Sequence, residues 1–237
     1  MRLTHGMEAL LAFAAGLLSL RLAGDLLSRY RARRSPQLAA WAASLLAYAA
    51  ASAALAWGAA AGWDDRSFRV YYVCGALLTA PLLGIGSLLL SGRRWAAPLG
   101  LVYSGLAVGV ALAAPIAPAV HGDAIPKAQE HLELWPARLL AIFGNSLGTL
   151  AVLVIALGTL RRRPVGNGLI LAGVAVAATG SALAGLGATP TAIFIAVAAL
   201  LLYGGFVWSS GERPALNPFR RTAARTADPT ASRPSAR

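Results

Sequence analysis

A single cysteine, Cys74, stands in the 237 residues of this chain, which excludes an intrachain disulfide and any cysteine-based metal or redox motif. Charge is scarce too. Only 13% of residues are charged and 57% are hydrophobic, against about a quarter charged in a soluble domain. No histidine falls inside a long apolar run, since His5, His121 and His131 all sit in flanking segments. A b-type haem held by histidines within the spans is therefore excluded. The last apolar run, TAIFIAVAALLLYGGFVWSS, contains no lysine, so it cannot carry a retinal Schiff base. No acid lies near the middle of any run, which argues against a proton- or sodium-coupled carrier built on an intramembrane carboxylate.

What remains is long uncharged runs separated by short basic clusters, the pattern of a polytopic membrane protein. Seven segments reach the roughly 20 apolar residues that a span requires: 7–28, 38–61, 68–91, 95–118, 135–160, 167–187 and 190–209. The expected fold is an all-α bundle of seven transmembrane helices over residues 1–211. The run from Met7 is followed, not preceded, by the cluster SRYRARR, so it reads as an uncleaved first helix and not a signal peptide. Pro98, Pro115 and Pro118 fall in the fourth segment, whose far end is expected to break.

The formal net charge is +12, and all but one of the 21 basic residues are arginine. The arginines sit in short clusters between apolar runs and not on one folded face, so the chain is expected to bind no nucleic acid. They orient the bundle. The connections SRYRARRSPQ, GRRW and LRRRPVGN and the C-terminal tail hold most of them. The opposite side has Arg2, Arg66, Arg69, Lys127 and Arg138, together with Glu8, Asp64, Asp65, Asp123, Glu130 and Glu133. The positive-inside rule then puts the N-terminus outside and the C-terminus in the cytoplasm of a bacterial cell membrane. An external loop covers 119–134. Residues 212–237, rich in Pro, Ala, Thr, Ser and Arg, are expected to form a disordered basic tail drawn to anionic lipid. The segments RRSPQLAAWAASLLAYAAASAALAWG and RRRPVGNGLILAGVAVAATGSALAGLG align at a constant offset, which would relate helices 1–3 to helices 5–7 as a 3+1+3 repeat.

Several motifs carry less than their letters suggest. GNSLG, Gly144 to Gly148, matches a serine nucleophile elbow, but it lies in a membrane run and lacks the strand-turn-helix corner, the histidine and the acid. Ser146 is not expected to be catalytic, and the glycines read as helix-packing residues, with Gly105 and Gly109 repeating the spacing. GIGS, Gly84 to Ser87, lacks the rest of a dinucleotide loop. Arg21 and Asp25 share a face at i, i+4 near a helix end and read as an ion pair. His121 with Asp123 and His131 with Glu133 offer ligand types but match no metal spacing, so no metal site and no cofactor are expected. Pro81 cannot donate to the carbonyl of Leu77, so helix 3 is expected to kink or loosen there, with Thr79 or a neighbouring helix taking up the freed group.

The runs RVYYVCGALLTAPLLGIGSLLL and GTLRRRPVGNGLILAGVAVAATGS resemble segments of uncharacterised seven-helix membrane proteins of high-GC bacteria. The resemblance implies a topology and transfers no site residues.

One constellation faces the expected external mouth. Arg69 and Tyr72 share a face of helix 3, and Arg138 and Asn145 share a face of helix 5. If those faces meet, the four residues line a pocket suited to a small anionic solute. Alternatively, Arg69, Tyr71, Tyr72, Trp63 and Trp135 are interfacial anchors. The expected function is non-enzymatic binding or passage of a small solute through an outward-opening bundle. The alternative is a sensor or interaction protein acting through its tail. Membrane lipids are the expected partners, and the Gly and Ala contacts also suit oligomerisation.

Overall fold

The structure, a computed structural model, describes residues 2–122, 124–161 and 164–185 and scattered positions between 194 and 208. Among these residues there is no strand, only an isolated antiparallel bridge between Trp63 and Gly122. The helices are α1 (Arg2–Arg33), α2 (Pro36–Ala61), α3 (Asp65–Leu90), α4 (Ala96–Ala113), the single turn α5 (Ala128–His131), α6 (Leu134–Thr159) and α7 (Pro164–Gly185). Five are long and apolar enough to cross a membrane: Leu10–Arg33, Pro36–Ala61, Asp65–Leu90, Ala96–Ala113 and Leu134–Thr159. In α7 the apolar stretch Pro164–Val176 is shorter. The expected seventh span and the basic tail lie largely or wholly outside the described residues.

Local chemistry sets the boundaries. Pro36 starts α2, where its missing N–H costs nothing, and Gly62, at φ 89°, ends it. A capping box opens α3: Asp64 Oδ1 accepts from the Ser67 backbone N–H at 2.8 Å, and the Ser67 hydroxyl accepts from the Asp64 N–H at 3.0 Å. Those hydrogen bonds from Ser67 hold the Asp64 carboxyl below its ordinary value. The fourth apolar run breaks at its far end, as its prolines imply. Ala114 turns extended (φ −64°, ψ 126°) ahead of Pro115, closing α4 at Ala113.

Helix α3 is the hub. It packs against α2 on one side and against α6 and α4 on the other, while α1 packs on α2 and α7 on α6. The largest buried cluster gathers Trp63, Phe68, Tyr72, Leu77, Ala107, Ala111, Val120 and Leu132 at one end of the bundle. The chain between α4 and α6 is stitched across that end. Trp63 N donates to Gly122 O at 2.8 Å, Ala117 N to His131 O at 3.0 Å, and Val120 N to the Asp65 carboxylate at 2.8 Å. The His131 ring stands edge-on to Phe68 at 5.6 Å, and its Nδ1 lies 2.8 Å from Pro118 O. Trp63 is buried, 3% exposed, with its ring over Gly58 and against Tyr71. This tryptophan is core, not an interfacial anchor. Trp135, 73% exposed, does suit an anchoring role. Arg21 and Asp25 are both exposed and form no ion pair with each other.

The α3–α6 contact is backbone against backbone. A Cβ on Gly84 would lie 2.6 Å from Gly148 Cα, and one on Gly148 would strike the Ala80 carbonyl and approach Pro81 Cα at 2.8 Å. The small residues thus let the two helices close to contact distance. Replacing Gly148 by valine should destabilise the bundle by about 1–3 kcal/mol, the usual effect of overpacking. Gly158→Ala, where a Cβ meets nothing within 4 Å, should leave stability unchanged within about 0.5 kcal/mol. Unfolding of both variants in mixed micelles checks the contrast.

Candidate binding site around the wide turn of alpha 3

Between Tyr72 and Thr79 the α3 backbone winds as a π-helix before resuming α geometry at Ala80. The cause sits just downstream. Pro81 has no N–H, so the carbonyl of Leu77 loses its α-helical donor. In a bilayer no water replaces it, and another part of the protein must. Tyr103 of α4 does so, its hydroxyl donating to Leu77 O at 2.8 Å. Three more carbonyls of the same turn accept side chains. Thr79 Oγ1 donates to Cys74 O at 2.7 Å, Asn145 Nδ2 of α6 donates to Ala76 O at 2.7 Å, and Ser44 Oγ of α2 donates to Thr79 O at 2.7 Å. Three neighbouring helices therefore each send one polar side chain into the wide turn. Gly144 exists beside it because a Cβ there would collide with the Tyr103 hydroxyl. Ser146 is exposed on another face of α6, so the GNSLG glycines serve packing.

The second polar group lies at the stitched end of the bundle. Arg69 reaches across to α4 and donates to the carbonyls of Ala111, Leu112 and Ala114, the last at 3.0 Å. Those are orphan acceptors at a helix C-terminus, where a guanidinium also opposes the helix dipole. Tyr72 is buried, with its ring tilted against Phe68 at 6.0 Å, and its hydroxyl makes no hydrogen bond with the described residues. Arg138, half-buried in the first turns of α6, likewise makes no hydrogen bond or ion pair with them. It stands within electrostatic range of the Tyr72 hydroxyl. Arg69 and Tyr72 share the wall of a cavity of about 10 Å³, closed otherwise by apolar side chains that include Val73, Ala114, Ile116 and Leu132. That is room for about one water molecule.

The four residues singled out from sequence thus divide three to one. Arg69 and Tyr72 do meet at one cavity, and Arg138 lies within electrostatic range of Tyr72. Asn145, seven residues along α6 and so about 10 Å deeper, belongs to the wide turn. Arg69 and Asn145 are committed to backbone acceptors, whereas Tyr72 and Arg138 bond to none of the described residues. Sequence reading missed Tyr103 and Ser44. The signal was present, because the unpaired Leu77 carbonyl demands a donor at the same depth on a neighbouring helix. Among the described residues no group of three or more His, Cys, Asp or Glu side chains is placed to hold a metal ion. Comparison with known protein families, curated proteins and solved structures finds no match.

Removing the Tyr103 hydroxyl (Tyr103→Phe) should destabilise the bundle by about 0.6–1.7 kcal/mol, the scale of interhelical hydrogen bonds in membranes. Pro81→Ala restores an N–H for Leu77 O, so in that background the same change should cost much less. A double-mutant cycle of unfolding free energies measures the coupling. Additive losses would mean that the Tyr103 bond does not replace the one that Pro81 removes.

Proposed function

We propose that the chain is a non-enzymatic integral protein of a bacterial cytoplasmic membrane that binds, and on opening passes, a small anionic solute. In this reading seven helices span the bilayer, the last of them within 190–209. The stitched end faces outward, and the Arg-rich connections and tail face the cytoplasm, in keeping with the positive-inside rule. The two aligned segments that open with Arg-Arg-x-Pro support the 3+1+3 repeat of some transporters.

The observation that carries the proposal is the pair Tyr72 and Arg138. A cation at the edge of a bilayer is ordinarily paired or solvated. Arg138 forms no ion pair with the described residues, and it lies within electrostatic range of the Tyr72 hydroxyl, which bonds to none of them either. An anion accepting from both would form charge-assisted hydrogen bonds. Beneath the pair the bundle is shut, by Asn145 on Ala76 O and by the Gly84–Gly148 contact. Passage would require α3 and α6 to part there, and the wide turn, which interrupts the α-helical ladder of α3, is the segment suited to yield.

A thermal-shift screen of the purified full chain against inorganic phosphate, sulfate and short carboxylates tests the reading. One of these anions should raise the melting temperature of the wild type. An anion at 100 times its Kd stabilises by about 2.7 kcal/mol. Arg138→Gln should abolish the rise at an unchanged baseline. Arg69→Gln should instead lower the baseline, because it uncaps α4. A wild-type anion response retained in Arg138→Gln, or no response to any anion, would sink the proposal.

A further inference from the structure

Helix α1 lies at the edge of the bundle and has two unlike faces. On one, Leu22 and Leu26 are buried with Ala42 of α2. The opposite face is open. Leu10, Leu17, Arg21, Gly24 and Asp25 are all exposed on it, and a Cβ on Gly24 would meet nothing within 4 Å. An open apolar face is ordinary for a helix in lipid. An open face that carries an arginine and an aspartate is not, because ionisable groups within a span are almost always paired or turned to the bundle interior.

Both charges fall within the membrane-length segment Leu10–Arg33. They lie about 12 Å and 6 Å along the helix axis before Arg29, where the basic cluster begins. Although four residues apart, they form no ion pair with each other, and Arg21 bonds to no described residue. Their order accounts for this. At i, i+4 the favourable arrangement has the acid nearer the helix N-terminus, and here the arginine holds that place.

We infer that this face of α1 is the two-fold interface of a homodimer, in which Arg21 of each copy pairs with Asp25 of the other. Two copies threaded alike are related by an axis normal to the bilayer, so their first helices run parallel with equal residues at equal depth. The four-residue offset is then about 6 Å along the axis, within reach of an arginine side chain. The pairing is reciprocal, because the surface that presents the cation also presents the anion. A foreign helix would need its own acid and base at matching depths, whereas a second copy has both by construction. A bound anion would answer Arg21 and leave Asp25 open. Leu10, Leu17 and Gly24 follow one another at seven residues, the spacing of a parallel helix seam. Gly24 lets the two backbones approach at the depth of the ion pairs. The inference is independent of the anion site proposed above.

Native mass spectrometry of the full chain released from micelles tests it. The wild type should be a dimer. Arg21→Asp makes the face wholly acidic and Asp25→Arg makes it wholly basic. Each variant alone should dimerise about tenfold or more weakly, the scale of two lost interhelical polar contacts in a membrane. Mixed together, the two should recover wild-type affinity as a heterodimer, because every acid of one then meets a base of the other. A charge pair confined to one chain predicts no recovery on mixing. Where a charge variant fails to insert, Gly24→Cys in a Cys74→Ala background probes the contact directly, and oxidation in membranes should cross-link two copies through it. Gly105→Cys on α4, in the same background, should not cross-link. A monomeric wild type, charge variants that dimerise as the wild type does, no recovery on mixing, or cross-linking of Gly105→Cys in place of Gly24→Cys would overturn the inference.

Discussion

One missing hydrogen organises this bundle. Pro81 leaves the Leu77 carbonyl without its helical donor, and in an apolar surrounding an unpaired carbonyl costs several kcal/mol. The Tyr103 hydroxyl settles that carbonyl, which holds α4 to α3 at a fixed depth. Gly144 must then be glycine to clear the hydroxyl, and Gly148 must be glycine to clear Pro81, which draws α6 in from the other side. Asn145 and Ser44 complete the arrangement by bonding neighbouring carbonyls. Apolar surface alone does not drive membrane helices together, because lipid is as apolar as leucine. Small residues at close contacts and a few well-placed hydrogen bonds do.

The stitched end obeys the same rule with different partners. Helix α4 stops at Ala113 because the following residue precedes a proline, leaving terminal carbonyls that Arg69 collects. The connecting chain then covers the N-terminus of α3, with Asp65 holding the Val120 amide and His131 lying against Phe68. Arginine and aspartate near the membrane surface look like signs of a ligand, but here each closes a helix end or a loop. What they leave over is Tyr72 and Arg138, which bond to none of the described residues.

Much of this was legible in the chain because membrane segments obey strict rules. The boundaries of the five described spans came out within about five residues, since apolar length and flanking charge set them. The break after α4 followed from Pro115 and Pro118, and the yielding at Pro81 followed from its missing donor. The packing role of the GNSLG glycines could be read from the absence of any catalytic partner. Partner identity could not be read. Helical spacing put Arg69 and Tyr72 on one face and Arg138 and Asn145 on another, but spacing does not say which side chain a neighbouring helix will engage. Trp63 showed the same gap. A tryptophan beside a span normally marks the interface, yet here the chain turns at Gly62 and folds the ring over Gly58, into the core.

The wide turn also sets a phase. A π turn holds one residue more than α geometry would use, and one helical residue corresponds to about 100° of rotation. Everything on α3 before Tyr72 is therefore rotated by roughly that angle relative to everything after Thr79. The later half presents Pro81 and Gly84 to α6, while the earlier half presents Arg69 and Tyr72 to the end of α4. In unbroken α geometry Pro81 and Gly84 would stand about 120° around the helix from Arg69 and Tyr72, and the extra residue removes about 100° of that difference. The wide turn thereby brings the two faces toward one side of α3.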